Sequence, residues 1–310
     1  IDSETGTAKV LRRGRHIVVA RFLDHVVPIE IIVPLSRDSV DLNDEPRSNF
    51  VDDHILRTLD VLGLPTSPQA GDAAFLRRVT LDLTGRLPTP AEQDEYLLAA
   101  EPGKAVGLVD RLLASEEFTE YWTLRFAKLL RIRSQPGDST AALKYHSWLK
   151  TQIADGVPYD QFAREILTAS GDTHEVGPAN FYRTVAGARE QAEFASELLM
   201  GTRLRCANCH NHPLDRWTQD DYHGLAAIFA KVKQGRIIDV VMNGEVSHPR
   251  TGEAAIPRIP GDRFLDSGDG RAEFAAWLTR PENPYFAKAA VNRLWKAMMG
   301  RGLVESTDDL

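Results

Sequence analysis

The pattern of apolar and polar positions changes character twice along the chain. In residues 1–35 apolar side chains come in short β-branched runs, at 8–10, 16–22 and 26–33, broken by Gly14 and Asp24. Such runs predict strands, but too few for a closed sandwich. Residues 36–49 are polar and acidic and read as a linker. Their carboxylates do not follow the spacing of a calcium loop. From Asn49 the apolar period becomes helical. Asn49 caps a helix with Val51, Ile55, Leu59 and Leu62 on one face, and Gly63 and Pro65 stop it. Further helices are predicted at about 72–83, from Pro90, and at about 103–114, 116–132, 139–154, 158–169 and 189–205. Another follows a Thr218 cap, and two more lie near 270–279 and 284–299. The stripes Trp122, Phe126, Leu129, Leu130 and Tyr145, Trp148, Leu149, Ile153 read as core. Between residues 236 and 248, Asn243-Gly244 predicts a short β-hairpin. The fold class is therefore mainly α, with a small N-terminal β segment and one short hairpin near 236–248.

One short stretch carries distinctive chemistry. Both cysteines of the chain lie in Cys206-Ala-Asn-Cys209-His210. Two thiols at this spacing, with an imidazole next, form the signature of covalent c-type haem attachment. Each thiol can add to one haem vinyl group, and the histidine then turns under the ring to ligate iron. Duller readings stand beside it. The thiols could form a local disulfide, or Cys206, Cys209, His210 and His212 could bind zinc. Structural zinc sites, however, usually take their second ligand pair from a distant segment.

Composition narrows the classes. With 310 residues the chain can bury a real core, and its apolar content of 43% is that of an ordinary globular protein. A net charge of −7 argues against a nucleic-acid partner. No apolar run has the length of a membrane span. No signal peptide is present. Ile1 is not an initiator methionine, so the chain reads as a processed or truncated piece, and a continuation is expected past Leu310.

Several longer stretches resemble one family. Phe75 with the residues through Pro90, Pro178-Ala-Asn-Phe-Tyr-Arg183, Cys206 through Asp215, Trp217-Thr-Gln-Asp-Asp-Tyr222 and His248-Pro-Arg-Thr-Gly252 are similar to segments of the large secreted cytochrome-associated proteins of planctomycete bacteria. In that family an immunoglobulin-like module precedes a helical domain of uncharacterised function with Cys-x-x-Cys-His, and a second uncharacterised domain follows. Asn292-Arg-Leu-Trp295 and Gly300-Arg-Gly-Leu-Val304 resemble the opening of the second domain. The resemblance implies four parts. Residues 1–35 are the remnant of an immunoglobulin-like domain and 36–49 a linker. Residues 50–234 form a c-type-cytochrome-like helical domain. Residues 235–310 hold a hairpin and Pro-rich extension, then the start of a truncated second helical domain. The resemblance also implies export to the periplasm or beyond the cell, and an association with breakdown of complex organic polymers. It names no reaction.

The function expected is that of a secreted monohaem cytochrome-like domain with covalent haem c. It would pass electrons to a redox partner protein or domain, with no nucleic acid and no membrane span. The missing flanking domains of the full-length protein are further partners. Whether it is an enzyme stays open; the class it points to is oxidoreductase. Cys206, Cys209 and His210 are the attachment and proximal-ligand residues. His248 is the first choice for the sixth ligand, and His212 a lesser alternative. Arg203, Arg205 and Arg216 are candidates to meet haem propionates. Two other functions compete. One is a zinc hydrolase using His210, His212 and Asp215 to activate water. The other is a non-catalytic scaffold or glycan-binding module.

Overall fold

A computed structural model describes residues 2, 5–22, 25–38, 40–213, 215–266 and 268–310. The chain divides into two compact units, residues 1–71 and 72–310.

The first unit holds an antiparallel hairpin and one helix. Strand β1 (Gly14–Phe22) pairs with β2 (His25–Val33) along its whole length, from Gly14 opposite Val33 to Phe22 opposite His25. Residues 8–10 are not a strand, and Asp24 lies outside the described residues. Over residues 1–35, where an immunoglobulin-like remnant is expected, the described residues hold one two-stranded hairpin. Ile17, Val19, Val27 and Ile29 on it are exposed. Helix α1 (Phe50–Leu62) starts at Asn49, whose side chain accepts from Val51 N while Asp52 accepts from Asn49 N. That reciprocal cap satisfies amides the first turn cannot pair internally. The buried residue of α1 is Leu56, and Ile55 faces outward, one position off the predicted stripe. The linker is more ordered than its polarity suggests. Arg47 donates to the carbonyls of Leu42, Asn43 and Glu45, and Leu42 is buried.

The second unit is helical. Helices α2 (Asp72–Thr84), α3 (Pro90–Leu98) and α4 (Lys104–Leu113) pack around Leu76, Tyr96, Leu108 and Leu112. Helix α3 starts with Pro at its first turn and a Thr89–Glu92 capping box. Arg86 reaches the same carboxylate with two N–H groups at 2.9 Å. The larger core spans α5 (Glu116–Leu129), α6 (Ser139–Ala154), α7 (Tyr159–Thr168) and α8 (Ala188–Ala195). It continues through α9 (Gln219–Ala230), α10 (Arg271–Leu278) and α11 (Phe286–Met299). The predicted aromatic stripes lie there except for Trp122, which is half-buried outside that core. Tyr145 stacks on Trp148, Trp148 on Phe162, Phe162 on Tyr159 and Tyr159 on Phe286, with centroids 5.0–5.8 Å apart. Offset aromatic stacks of this kind knit helices that are distant in sequence.

Two elements differ from expectation. The helix predicted over 189–205 stops being α after Ala195 and widens to a π turn at Ser196–Met200. Gly201, in the left-handed conformation, ends it, and a 3-10 turn follows at Leu204–Asn208. The β element near 236–248 is built differently. Strand β3 (Gly171–Asp172) and strand β4 (Val232–Lys233) flank β5 (Ile237–Val240), and the β4–β5 pairing ends at Lys233 opposite Asp239, so the chain reverses over residues 234–238. Asn243-Gly244 instead backs onto the end of α9. A Cβ on Gly244 would sit 1.9 Å from Ala230 O, so close approach rather than a hairpin turn explains the glycine. Among the described residues no helix is long and apolar enough to cross a membrane.

Two measurements test this packing. Leu149 is fully buried, and Leu149→Ala should cost about 2–5 kcal/mol in urea unfolding. Glu92 is held to a pKa of about 2 by its hydrogen bond from Arg86. A depressed carboxylate stabilises the fold above its unfolded pKa, and that stabilisation is lost as pH falls toward the folded value. Between pH 4.5 and 2 the melting temperature of the natural chain should therefore fall more steeply than that of Glu92→Gln.

Candidate haem-attachment site

The turn at Leu204–Asn208 sets the geometry of the thiols. In a 3-10 turn, residues three apart lie one above the other. Leu204 and Ala207 point into the core and are fully buried. Cys206 and Cys209, offset from that pair, are both exposed and both free thiols. The sequence thus spends two apolar residues to anchor the turn and presents two thiols outward.

His210 is exposed as well, and its Nδ1 lies 2.8 Å from Asn211 O. A carbonyl only accepts, so Nδ1 carries the proton and Nε2 keeps its lone pair. This is the tautomer in which a metal-ligating histidine is usually held. Free thiols on an exposed turn and a histidine with a free Nε2 fit covalent haem. His212 uses its backbone N–H to bind Trp217 O at 2.8 Å, closing the loop over a fully buried Trp217.

The turn is held from below by α9. His223 Nε2 lies 3.0 Å from Asn208 O, inside the motif, and Gln219 Nε2 reaches the same carbonyl at 3.4 Å. Gln219 N donates to Asn211 Oδ1 at 3.1 Å. The start of α9 is fixed by a Thr218–Asp221 capping box. Asp221, itself buried, also accepts from Arg258 Nε at 2.9 Å and Gly261 N at 2.8 Å. Arg258 N donates to Gly224 O, and a Cβ on Gly224 would meet Arg258 Cβ at 2.3 Å. Only glycine lets that segment lie so close to the helix.

His248 is buried. Its backbone closes a turn with Gly252 and Glu253, and its ring packs edge-on against His223 with centroids 5.0 Å apart. Nδ1 accepts from Arg250 N at 3.3 Å. Nε2 lies 3.0 Å from Asp220 Oδ1 but off the hydrogen-bonding axis, and His223 Nδ1 has no partner. Burial holds the His223 pKa below the ordinary histidine value, and the neighbouring His248 adds to that effect. Asp220 and Arg250 line an open cleft of about 400 Å³ together with Cys209 and His210. The structure thus gathers Cys209, His210 and the two polar neighbours of His248 around one cleft.

Other predicted residues are committed elsewhere. Asp215 accepts from Arg216 N at 2.7 Å, and among the described residues no three His, Cys, Asp or Glu side chains converge as a metal cluster. Arg203 pairs with Asp308 at 2.8 Å, and Arg216 lies over the Trp217 ring. His223 is not among the site residues read from the sequence, and Gln219, Asp220 and Arg250 enter there only within the segments that resemble the family. The available signal was the Asp220–His223 spacing, which puts both on one helix face.

Residues 50–234 match the PSCyt2 family, described as a protein of unknown function (DUF1549). Residues 270–310 match PSD1, also described as a protein of unknown function (DUF1553). Both matches are consistent with the cytochrome-associated proteins that the sequence resembles. No curated protein and no solved structure matches the chain. The first match covers more than half of the 310 residues, and the chain therefore belongs to the PSCyt2 family of proteins of unknown function.

Proposed function

We propose that the chain carries one haem c, joined through Cys206 and Cys209 with His210 Nε2 as proximal ligand, and serves as an electron-transfer module. One observation carries the reading: two free thiols exposed on a buried-anchored turn, followed by a histidine whose Nδ1 is engaged by Asn211 O. The family name, PSCyt2, points the same way.

The chemistry of attachment asks little of the protein. Each thiol adds its S–H across a vinyl group, so one S–C bond forms, the proton ends on carbon, and no oxidant is needed. Bound haem would supply a one-electron iron couple. The residues of this chain would do the positioning. Asn211 O holds the His210 ring, and His223 with Gln219 holds Asn208 O, so the thiols are presented from a fixed turn. Arg250 lines the cleft next to His210 and offers a guanidinium to a propionate. The exposure of the thiols would leave a haem edge near solvent, which suits transfer to a redox partner protein. His248 is the candidate sixth ligand, since its neighbours Asp220 and Arg250 share the cleft with His210. Thioether attachment takes place in an oxidising compartment, so this reading assigns the chain to the periplasm or the outside of the cell. No substrate is assigned.

The test is production in a host with working haem maturation, followed by oxidised and reduced spectra and an intact mass. A Soret band with a mass gain of one haem is expected. Cys206→Ala with Cys209→Ala should abolish the mass gain. His210→Ala should keep it and change the spectrum. His248→Ala should convert the reduced spectrum to a five-coordinate form that binds carbon monoxide readily. An unmodified mass with both thiols free would sink the reading, and stoichiometric zinc in that sample would replace it.

A further inference from the structure

A second site lies among α5, the π turn and α11. There a cleft of about 580 Å³ is lined by Arg125, Lys128, Arg131, Arg293 and Lys296. The whole chain has a net charge of −7, so this concentration of cations runs against its overall balance. Two carboxylates share the lining, Glu197 and Asp308. Asp308 is taken by Arg203, which donates to it with Nε at 3.0 Å and Nη2 at 2.8 Å. Glu197 stands 3.6 Å from Arg131, and burial raises its pKa, which weakens its hold on a negative charge. Among the described residues no carboxylate lies within 4 Å of Arg125, Lys128, Lys296 or Arg293.

Arg293 is the informative cation. Its Nη1 and Nη2 donate to Leu198 O and Glu197 O, carbonyls of the π turn. Carbonyls satisfy its hydrogen bonds but do not neutralise its charge. Burial accordingly pushes its pKa down. A part-buried guanidinium with no carboxylate within 4 Å among the described residues is costly to hold; Asp308, farther off, offsets some of that cost, and an anion in the cleft would offset more. Two departures from regular backbone meet here as well. One is the π turn itself, a form that often accompanies function. The other is Arg131, the one non-glycine residue with left-handed backbone among the described residues, at φ 56°. That conformation closes α5, with Arg131 N donating to Lys128 O at 3.2 Å and Ile132 N to Ala127 O at 2.8 Å. Here the Arg131 guanidinium is held over the Phe194 ring at 4.4 Å, at the side of the cleft.

We propose that this cleft binds a small polyanion, a molecule with a carbon skeleton and two or more phosphate, sulfate or carboxylate groups. The cations supply both point charges from lysine and forked donors from arginine, which suit oxyanions. Leu129, Leu198 and Phe194 in the same lining give the skeleton an apolar surface. The volume falls within the range of small-molecule sites. The part-buried Arg293 favours a ligand that enters the cleft over a macromolecule resting on its rim.

The experiment is calorimetric titration of the full chain with citrate, with pyrophosphate and with a sulfated disaccharide, against potassium chloride at matched ionic strength. At least one probe should bind one to one, and which one does identifies the preferred oxyanion. Pyrophosphate, which lacks carbon, separates charge recognition from contact with the skeleton. Lys128→Ala with Lys296→Ala, both exposed positions, should weaken that binding at least tenfold and leave the melting temperature without ligand unchanged. Overturning results are heats that the chloride control reproduces for all three probes, or binding that survives the double substitution.

Discussion

Helix α9 is buried on every side, and much of the second unit follows from that. Every residue from Asp221 to Phe229 is inaccessible to solvent. A helix apolar all round belongs inside a fold, but this one also carries Asp221 and His223 inward. Each polar group taken into the core must find a partner there or cost stability. The Asp221 carboxylate accepts four hydrogen bonds, two from Thr218 and one each from Arg258 and Gly261. His223 finds the Asn208 carbonyl. These obligations bind the thiol turn to one side of the helix and residues 258–261 to another.

The thiol turn is thus rigid beneath and open above. Leu204, Ala207 and Trp217 are held by burial, while Cys206, Cys209 and His210 are displayed. Chemistry that forms covalent bonds to an incoming group needs this combination. The turn must not collapse when loaded, and the reactive atoms must be reachable. The residual freedom sits in the imidazole pair. His223 Nδ1 and His248 Nε2 are both buried without hydrogen-bond partners. Natural proteins rarely leave such atoms unpaired, and here they lie beneath the residues that line the cleft.

Electrostatics divides the second unit in a similar way. Most cations on the unit are matched locally, as in Arg271 with Asp269 at 2.8 Å or Arg183 with Asp138 at 2.7 Å. Arg271 is fully buried and also donates to Ala169 O, so its charge is both paired and hydrogen-bonded. The cleft beside α11 departs from this habit. There Arg293 donates to carbonyls, Arg131 lies over an aromatic ring with Glu197 at 3.6 Å, and Arg125, Lys128 and Lys296 have no carboxylate within 4 Å among the described residues. Arg271 is fully buried beside a carboxylate, whereas the part-buried Arg293 donates to the carbonyls of Glu197 and Leu198.

Local chemistry was legible from the residue order. The helical period, the Asn49, Thr89 and Thr218 caps and the glycine stops located most helices to within a few residues, because such signals act between near neighbours. The Cys206-x-x-Cys209-His210 spacing is local too, and its thiol face follows from Leu204 and Ala207 being apolar. Non-local facts were not legible. The π turn depends on Arg293, some 95 residues away, capping its carbonyls. Gly244 reads as a hairpin turn until Ala230 O is seen against it. His223, Asp220 and Arg250 become neighbours of the motif only when α9 and the residue 245–261 segment pack together. Sequence order by itself determined which segments are helical and where two thiols and an imidazole stand together. Which of them meet, and where unpaired charge collects, was decided only by tertiary packing, since burial and counter-charge are properties of neighbours distant in the chain.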